Sequence, residues 1–173
     1  QHGGQSIVNF DYGLAPGVKK TYRKNLISNT VKAFKLLAPE CDISKDSVKL
    51  ALEHIKQNTG TEPSIKANDE FSAAAMAWLI ETTNSAFIHN LNTRHSRAGA
   101  QTPFSSINYG MDTSPEGRMV VRNMLLATER GLGQGETPIF PIQIFRVKSG
   151  VNYNDGEPNY DLFQLACRVS AKR

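Results

Sequence analysis

The chain has 173 residues, of which 39% are hydrophobic and 21% charged, a composition typical of an ordinary globular protein. No apolar run approaches the roughly 20 residues that cross a bilayer, and no basic region followed by an apolar core opens the sequence. We therefore expect no membrane partner and no secretory leader, and we predict a cytoplasmic protein.

The net charge is +4, and the basic residues are scattered along the chain rather than gathered in a block. This pattern favours a nucleotide ligand, or no anionic partner at all, over nucleic acid. Cys41 and Cys167 lie far apart, and neither CxxC nor HExxH occurs. We therefore expect no metal site, two free buried thiols, and an inert packed role for Cys167.

Both ends of the sequence resemble the interior of a larger protein. The chain lacks an initiating Met, opens in a Gly-rich segment, and closes on "SAKR" within a predicted helix. Domains usually end in exposed polar linkers, so we expect a single fragment of one larger domain.

The first hundred residues are predicted to be a mainly helical portion that follows a Gly-rich loop. Apolar spacing predicts a helix over Lys19–Ala38, and Pro39 ends it. A second helix begins after Ser44 and ends near Gly60. A connector and a long third helix follow, at Pro63–Asn68 and Asp69–Ser96.

Residues 101–173 are predicted to alternate strand, helix, strand and helix. The four elements are Thr102–Tyr109, Ser114–Arg130, Pro138–Lys148 and Tyr160–Arg173. Ser114 is the expected N-cap of the first of these helices, and Gly131 its expected stop. The second strand is apolar enough to be buried on both faces of a parallel sheet. Together with the preceding helices, this βαβ pattern predicts an α/β fold with a helical part and a piece of a larger sheet or barrel.

Two Gly-rich segments could in principle hold a phosphate. "HGGQS", His2 to Ser6, matches neither GxGxxG nor the Walker loop, so a plain turn is favoured over a phosphate cradle. "GLGQGE", Gly131 to Glu136, precedes a strand instead of a helix, which indicates a simple link. No GxSxG elbow or assignable Ser-His-Asp order occurs, so no catalytic residue is predicted here.

The predicted strand at Thr102–Tyr109 has an unusual number of polar side chains. Alternation places Gln101 and Ser105 on one face and Ser106 and Asn108 on the other. Buried polar groups need partners, which a barrel interior or a ligand supplies. The residues alone leave two alternatives, an amphipathic edge strand and a ligand-facing strand.

Long motifs in this sequence closely resemble the catalytic subunit of the anaerobic (class III) ribonucleoside-triphosphate reductases. They are "HGGQS", "FIHNLNTRHSRAGAQTPFSSINYGMDTSPEGRMVVRNMLLATERGLGQGETPIFPIQIF" and "YDLFQLACRVSAKR". The resemblance is dense from Phe87 to Arg173, returns at Gln1 to Tyr12, and is looser from Tyr22 to Thr83.

The resemblance implies a glycyl-radical enzyme on a ten-stranded α/β barrel that reduces ribonucleoside triphosphates to deoxyribonucleoside triphosphates. It implies a radical-SAM activating protein, a structural zinc, ATP and deoxynucleotide effectors, and formate as the reductant in many members. This chain has no glycyl-radical segment, no zinc CxxC pair and no recognisable thiyl cysteine. We therefore expect an internal fragment that binds none of the metal or radical cofactors and is inactive alone.

The resemblance also marks candidate site residues. "HGGQS" looks like the loop beside the substrate, and "SRAGAQTPFSS" looks like a barrel strand that reaches the active site. The substrate candidates are His2, Gly3, Gly4, Gln5, Ser6, Arg97, Gln101, Ser105, Ser106 and Asn108. The helices after Phe10 resemble the region that pairs subunits in a homodimer and holds the effector, whose phosphates Lys19, Lys20 and Arg23 could meet. Two alternatives stay open, a nucleotide-binding module without catalysis and a purely structural piece.

Overall fold

The computed structural model describes residues 4–37, 43–59, 84–93, 102 and 104–173. This part of the chain contains a three-stranded sheet, with β1 at Gly4–Ile7, β2 at Phe104–Tyr109 and β3 at Ile142–Phe145. Its helices are α1 at Phe10–Leu37, α2 at Lys45–Thr59, α3 at 84–93, α4 at Pro115–Arg130 and α5 at Tyr160–Lys172.

The sheet is parallel throughout, in the order β1-β2-β3. Gln5 pairs with Ser105, and Ser106 pairs with both Ser6 and Ile142. The segment β2-α4-β3 is therefore the predicted βαβ unit, and the α/β class is confirmed. Because β1 also pairs with β2, the sheet contains strands from before and after residue 100. The predicted division into a helical portion, 1–100, and a barrel portion, 101–173, stays a prediction.

The helices cover one face of the sheet. Ile107 and Tyr109 of β2 are each only 1% exposed and lie in one apolar cluster with side chains from every helix except α2. The cluster includes Phe10, Val18 and Tyr22 of α1, Ile88 of α3, Val121 and Met124 of α4, and Leu162 and Val169 of α5. A smaller cluster, built on Ile27, Val31 and Val48, joins α1 to α2.

Helix α1 begins nine residues before the predicted start at Lys19. Gly13, Pro16 and Gly17 are poor helix formers, so the sequence pattern predicts a start only after them. The observed helix contains Pro16 and starts at Phe10, whose ring is buried and stacks on Phe87 of α3. Burial in the main cluster outweighs the low propensity of this first part of α1.

Two expectations about strands are wrong. Gly4, Gln5 and Ser6 belong to strand β1, so this part of "HGGQS" is neither a turn nor a loop. Strand β3 is four residues long instead of eleven, and Ile142 and Ile144 are 42% and 45% exposed. The apolar run predicted burial on both faces, but within the described part of the chain only one face of β3 meets helices.

The predicted N-caps of α2 and α4 and the predicted stop of α4 are confirmed. Ser44 accepts a hydrogen bond from the Ser47 amide at the start of α2. Ser114 accepts one from the Gly117 amide at the start of α4, and Gly131 ends that helix at a φ of 80°. The predicted third helix is described only over 84–93, and the connector at Pro63–Asn68 lies outside the described residues. Within the described residues, no helix is long and apolar enough to cross a membrane.

Candidate functional site

The face of the sheet opposite the helices has both polar and apolar side chains. Residues paired across parallel strands point the same way, so Ser6, Ser106 and Ile142 form one row and Asn108 and Ile144 the next. We call this surface the open face; its members are Ser6, Phe104, Ser106, Asn108, Ile142 and Ile144. It is a surface of mixed polar and apolar side chains.

Asn108, on the open face, has a buried polar atom without a hydrogen-bond partner among the described residues. Its side chain is half-buried, and its Oδ1 atom accepts no hydrogen bond from the described residues. Ser105, on the helix-covered face, is buried, and its hydroxyl has no partner within the same residues. Buried polar atoms are normally paired, so the Asn108 oxygen is a candidate contact for a ligand on the open face.

Buried polar side chains join the ends of the three strands. The Asp11 Oδ2 atom accepts hydrogen bonds from the amides of Gly110, Met111 and Asp112, at 2.9, 2.9 and 3.0 Å. From the other side, the Asn152 amide donates to the carbonyls of Gly110 at 3.0 Å and of Arg146, after β3, at 2.9 Å. The turn after β2 is therefore held by chain segments that follow β1 and β3.

Asn159 adds to the same turn. Its side-chain amide donates to the carbonyl oxygens of Asp112 and Gly110, at 2.9 and 3.3 Å. Asp11, Asn152 and Asn159 are all 0% exposed. Ligands of parallel α/β sheets bind at the carboxyl ends of the strands, so these contacts shape the edge where a ligand is expected.

The start of α4 is not free to bind a phosphate. The Ser114 hydroxyl accepts the Gly117 amide, and Asp112 accepts the Ser114 amide at 2.8 Å. Glu116 adds a carboxylate to the first turn. These side chains already accept the backbone amides and place negative charge at the positive end of the helix dipole. This helix start is therefore not an anion site.

A separate basic region lies between α1 and α2. One cavity, of about 250 Å³, is lined by Lys19, Lys20 and Arg23 of α1 together with Lys56 and Leu52 of α2. A second cavity, of about 390 Å³, shares Lys20 and Arg23 and adds further cationic side chains, Lys24, Lys45 and Lys49. Arg23 also lies 3.7 Å from Glu53, and Lys49 lies 2.7 Å from Asp46. The region keeps a positive excess that suits a polyanionic ligand.

Comparison with known proteins gives the same family over the whole sequence. The family described as anaerobic ribonucleoside-triphosphate reductase matches residues 1–173. The chain belongs to this family. The anaerobic ribonucleoside-triphosphate reductase of Enterobacteria phage T4 is 32% identical over 174 residues, which cover 100% of this chain and 24% of that protein.

Two bacterial proteins of the same name match about half of the chain. The Haemophilus influenzae protein is 42% identical and the Escherichia coli protein 38% identical, each over 86 residues. Each alignment covers 49% of this chain and 12% of the relative. The chain thus spans about a quarter or less of the length of these relatives of the reductase family, as expected for an internal fragment.

The candidates taken from the reductase resemblance fall into three groups. Ser6, Ser106 and Asn108 lie together on the open face, whereas Ser105 and its exposed partner Gln5 point to the other face. Gly4 lies in β1, where a Cβ atom would lie 3.6 Å from the Phe104 carbonyl oxygen. The remaining candidates, His2, Gly3, Arg97 and Gln101, lie outside the described residues. Their roles as substrate contacts stay predictions.

Sequence reasoning missed the buried groups at the strand ends and misjudged one cysteine. Asp11, Asn152 and Asn159 stand in segments that have the composition of ordinary turns. In the sequence, the one sign of a special turn at this place is Gly110, directly after a predicted strand. Cys167 is exposed on α5, so the expected buried thiol is wrong at this position. Among the described residues, no group of three or more His, Cys, Asp or Glu side chains could hold a metal ion. The described residues therefore offer no ligand set for the structural zinc that the resemblance implies.

Proposed function

We propose that this chain is an internal segment of an anaerobic ribonucleoside-triphosphate reductase, which reduces ribonucleoside triphosphates to deoxyribonucleoside triphosphates. The observation that carries the proposal is the family match over all 173 residues, together with 32% identity to the phage T4 reductase over the full chain. The parallel sheet with a polar open face supports it, since a barrel wall of this kind presents one face to helices and the other to a ligand.

In this proposal the sheet is three strands of a ten-stranded barrel, and the open face is part of its interior. Ser6, Ser106 and Asn108 line the wall and orient the nucleotide by hydrogen bonds, with the Asn108 oxygen accepting from a hydroxyl or amine of the substrate. The radical chemistry and the reductant, formate in many members, belong to residues outside this segment. A radical-SAM activating protein, a homodimeric partner and a cytoplasmic location are also parts of the proposal.

The test uses the complete reductase that contains this segment, activated and assayed for deoxynucleotide by chromatography. Asn108→Ala is expected to lower kcat/KM by about 10-fold or more, because one substrate hydrogen bond to a buried group is lost. Asn58→Ala is the matched control, since Asn58 is an exposed residue of α2 whose described side-chain contact is with His54. Equal activity of both variants would remove Asn108 from the site.

A second assay addresses the incompleteness of the segment. The isolated 173 residues are expected to give no nucleotide reduction, even in a single turnover with the activating protein present. Robust single-turnover reduction by the isolated chain would show that the radical residues lie within it and would overturn this part of the proposal.

The basic region between α1 and α2 supports a second candidate function, binding of a nucleotide effector. The 250 Å³ cavity is smaller than the roughly 300–1,000 Å³ of typical whole-ligand sites, so it suits the triphosphate with the nucleoside outside. Lys19 and Lys20 would neutralise the phosphates, and Arg23 could bind them with two hydrogen bonds.

Calorimetric titration of the chain with dTTP, dGTP and ATP tests the effector site. Lys20→Ala is expected to weaken binding by about 10-fold, because it removes a charged contact, whereas Lys32→Ala should not, since exposed Lys32 lines neither cavity. Heat with inorganic triphosphate as well as with nucleotides would support phosphate recognition. No heat with any nucleotide would leave only the structural role.

A further inference from the structure

The turn after β2 is a backbone anion nest that the protein fills with its own carboxylate. Consecutive amide groups that converge on one point form an anion-binding concavity. The amides of Gly110, Met111 and Asp112 converge on the Asp11 Oδ2 atom, and the Tyr12 amide donates to Oδ1 at 3.1 Å. These three turn residues lie outside regular helix and strand, so their amides take no part in a ladder.

Hydrogen bonds from backbone amides hold the buried Asp11 side chain in place. A buried carboxylate is costly unless it is fully hydrogen-bonded, and hydrogen bonds to ionised acceptors are about twice as strong as neutral ones. Asp11 is 0% exposed, and no ion pair to it is found within the described residues. Four backbone amides therefore provide its stabilisation, and its oxygens face the turn instead of the open face.

The turn that Asp11 holds belongs to the strand with the candidate ligand contacts. Gly110 lies two residues after Asn108 and four after Ser106, and its carbonyl is held from the other side by Asn152 and Asn159. We propose that Asp11 is a positioning residue, which fixes the end of β2 relative to β1 and so sets the placement of Ser106 and Asn108 toward a nucleotide. It contacts no substrate itself.

The first test measures the nest and does not depend on the proposed reductase activity. Hydrogen exchange of the complete protein is followed by mass spectrometry in peptides that cover Gly110–Asp112. In the wild type these amides should be protected despite lying outside regular secondary structure. Asp11→Asn, which has the same shape, should raise their exchange about 10- to 100-fold, since charge-assisted hydrogen bonds are lost.

Asp155→Asn is the matched control, because this exposed aspartate accepts only its neighbouring amide at Gly156 among the described contacts. It should leave the exchange at Gly110–Asp112 unchanged. Unprotected turn amides in the wild type would overturn the nest. So would an Asp11→Asn variant whose α4 amides, such as Val121 and Met124, accelerate as much as the turn does, since that pattern indicates general unfolding.

The second test separates positioning from a purely structural role, and it rests on the proposed function. In the complete reductase, Asp11→Asn should lower kcat by about 10- to 100-fold and change KM by less than about threefold, because a shift of about 1 Å harms the reacting geometry more than binding. Unchanged kcat in a folded variant with rapid turn exchange would overturn the positioning role while the nest stands. An inactive wild type would count against the proposed function instead.

Discussion

Glu157 shows how one side chain organises the long loop between β3 and α5. Its carboxylate accepts hydrogen bonds from the amides of Gly150 and Tyr153, both at 2.6 Å, and from the Asn154 side chain at 2.7 Å. Desolvation acts to raise the pKa of Glu157, but together these hydrogen bonds lower it by more. The pKa therefore falls from its ordinary value of 4.5 to about 2. The carboxylate is therefore most stable in its ionised, loop-bound form.

This lowered pKa predicts an acid-sensitive contribution to stability. Since the folded pKa of about 2 lies below the ordinary value of 4.5, the contribution is fully present above pH 4.5 and is lost as the pH falls toward 2. Thermal unfolding between pH 2 and 6 should show a steeper acid loss for the wild type than for Glu157→Gln. Asp155→Asn, in the same loop, should keep the wild-type slope; equal slopes for all three proteins would contradict the role of Glu157.

Gly110 is the residue whose backbone demands glycine most clearly. Its φ is 112°, and a Cβ there would lie 3.1 Å from the Arg146 carbonyl and 3.2 Å from the Phe145 ring. Gly110→Ala should lower the free energy of unfolding by about 1–3 kcal/mol, measured by urea denaturation. Gly13→Ala in α1, where nothing lies within 4 Å, should raise it by about 0.5–1 kcal/mol. Equal effects at both sites would contradict the backbone explanation.

Among the elements, those with strong local signals were predictable and those set by distant contacts were not. Helix α4 has an N-cap at Ser114 and a stop at Gly131, and both were predicted from local chemistry alone. The start of α1 depends on Phe10 reaching Phe87, a contact 77 positions away that no local pattern contains. All four residues of strand β1 are exposed, so no burial pattern marks it in the sequence. It is a strand because it pairs with β2.

A chain of side-chain hydrogen bonds joins β2, β3 and α4. The Tyr109 hydroxyl donates to the Gln143 carbonyl oxygen at 2.5 Å, and the Gln143 amide donates to the Thr128 hydroxyl at 2.5 Å. Thr128 in turn donates to the Met124 carbonyl. Burial raises the pKa of Tyr109, so its hydroxyl stays protonated and acts as the donor.

This chain predicts energetic coupling between neighbouring elements. Gln143→Leu should lower the free energy of unfolding by about 1–3 kcal/mol, because the buried Tyr109 hydroxyl is left without its acceptor. Tyr109→Phe removes that hydroxyl, so the double variant should lose less stability than the sum of the single variants, by about 1 kcal/mol in a urea double-mutant cycle. Gln164→Leu, on the exposed side of α5, is the control and should be additive with Tyr109→Phe. Additivity in both cycles would contradict the chain.

For the whole molecule, the sequence predicted the family and also named residues that the structure brings together on one face, whose role as substrate contacts stays a prediction. The polar composition of the predicted strand indicates Ser106 and Asn108 as candidates, and both lie on the open face of the structure. Ser105, chosen for the same reason, points to the helices, because alternation sends neighbouring residues to opposite faces and the sequence does not say which face is covered. The nest at Gly110–Asp112 could not be predicted, since Asp11 is about 100 positions from the amides that it holds.

The expected homodimer is tested by two exposed apolar side chains in different parts of the molecule. Leu50 of α2 is 67% exposed in the helical portion, and Ile144 of β3 is 45% exposed on the open face. If the helices pair two copies, each dimer buries Leu50 twice by symmetry, at about 1.5–3 kcal/mol for each side chain. Leu50→Lys should then weaken the dimer at least about 100-fold by analytical ultracentrifugation, and Ile144→Lys should have no effect. A dimer that responds to Ile144→Lys alone would place the contact on the open face, and a wild-type monomer would contradict helix-mediated pairing altogether.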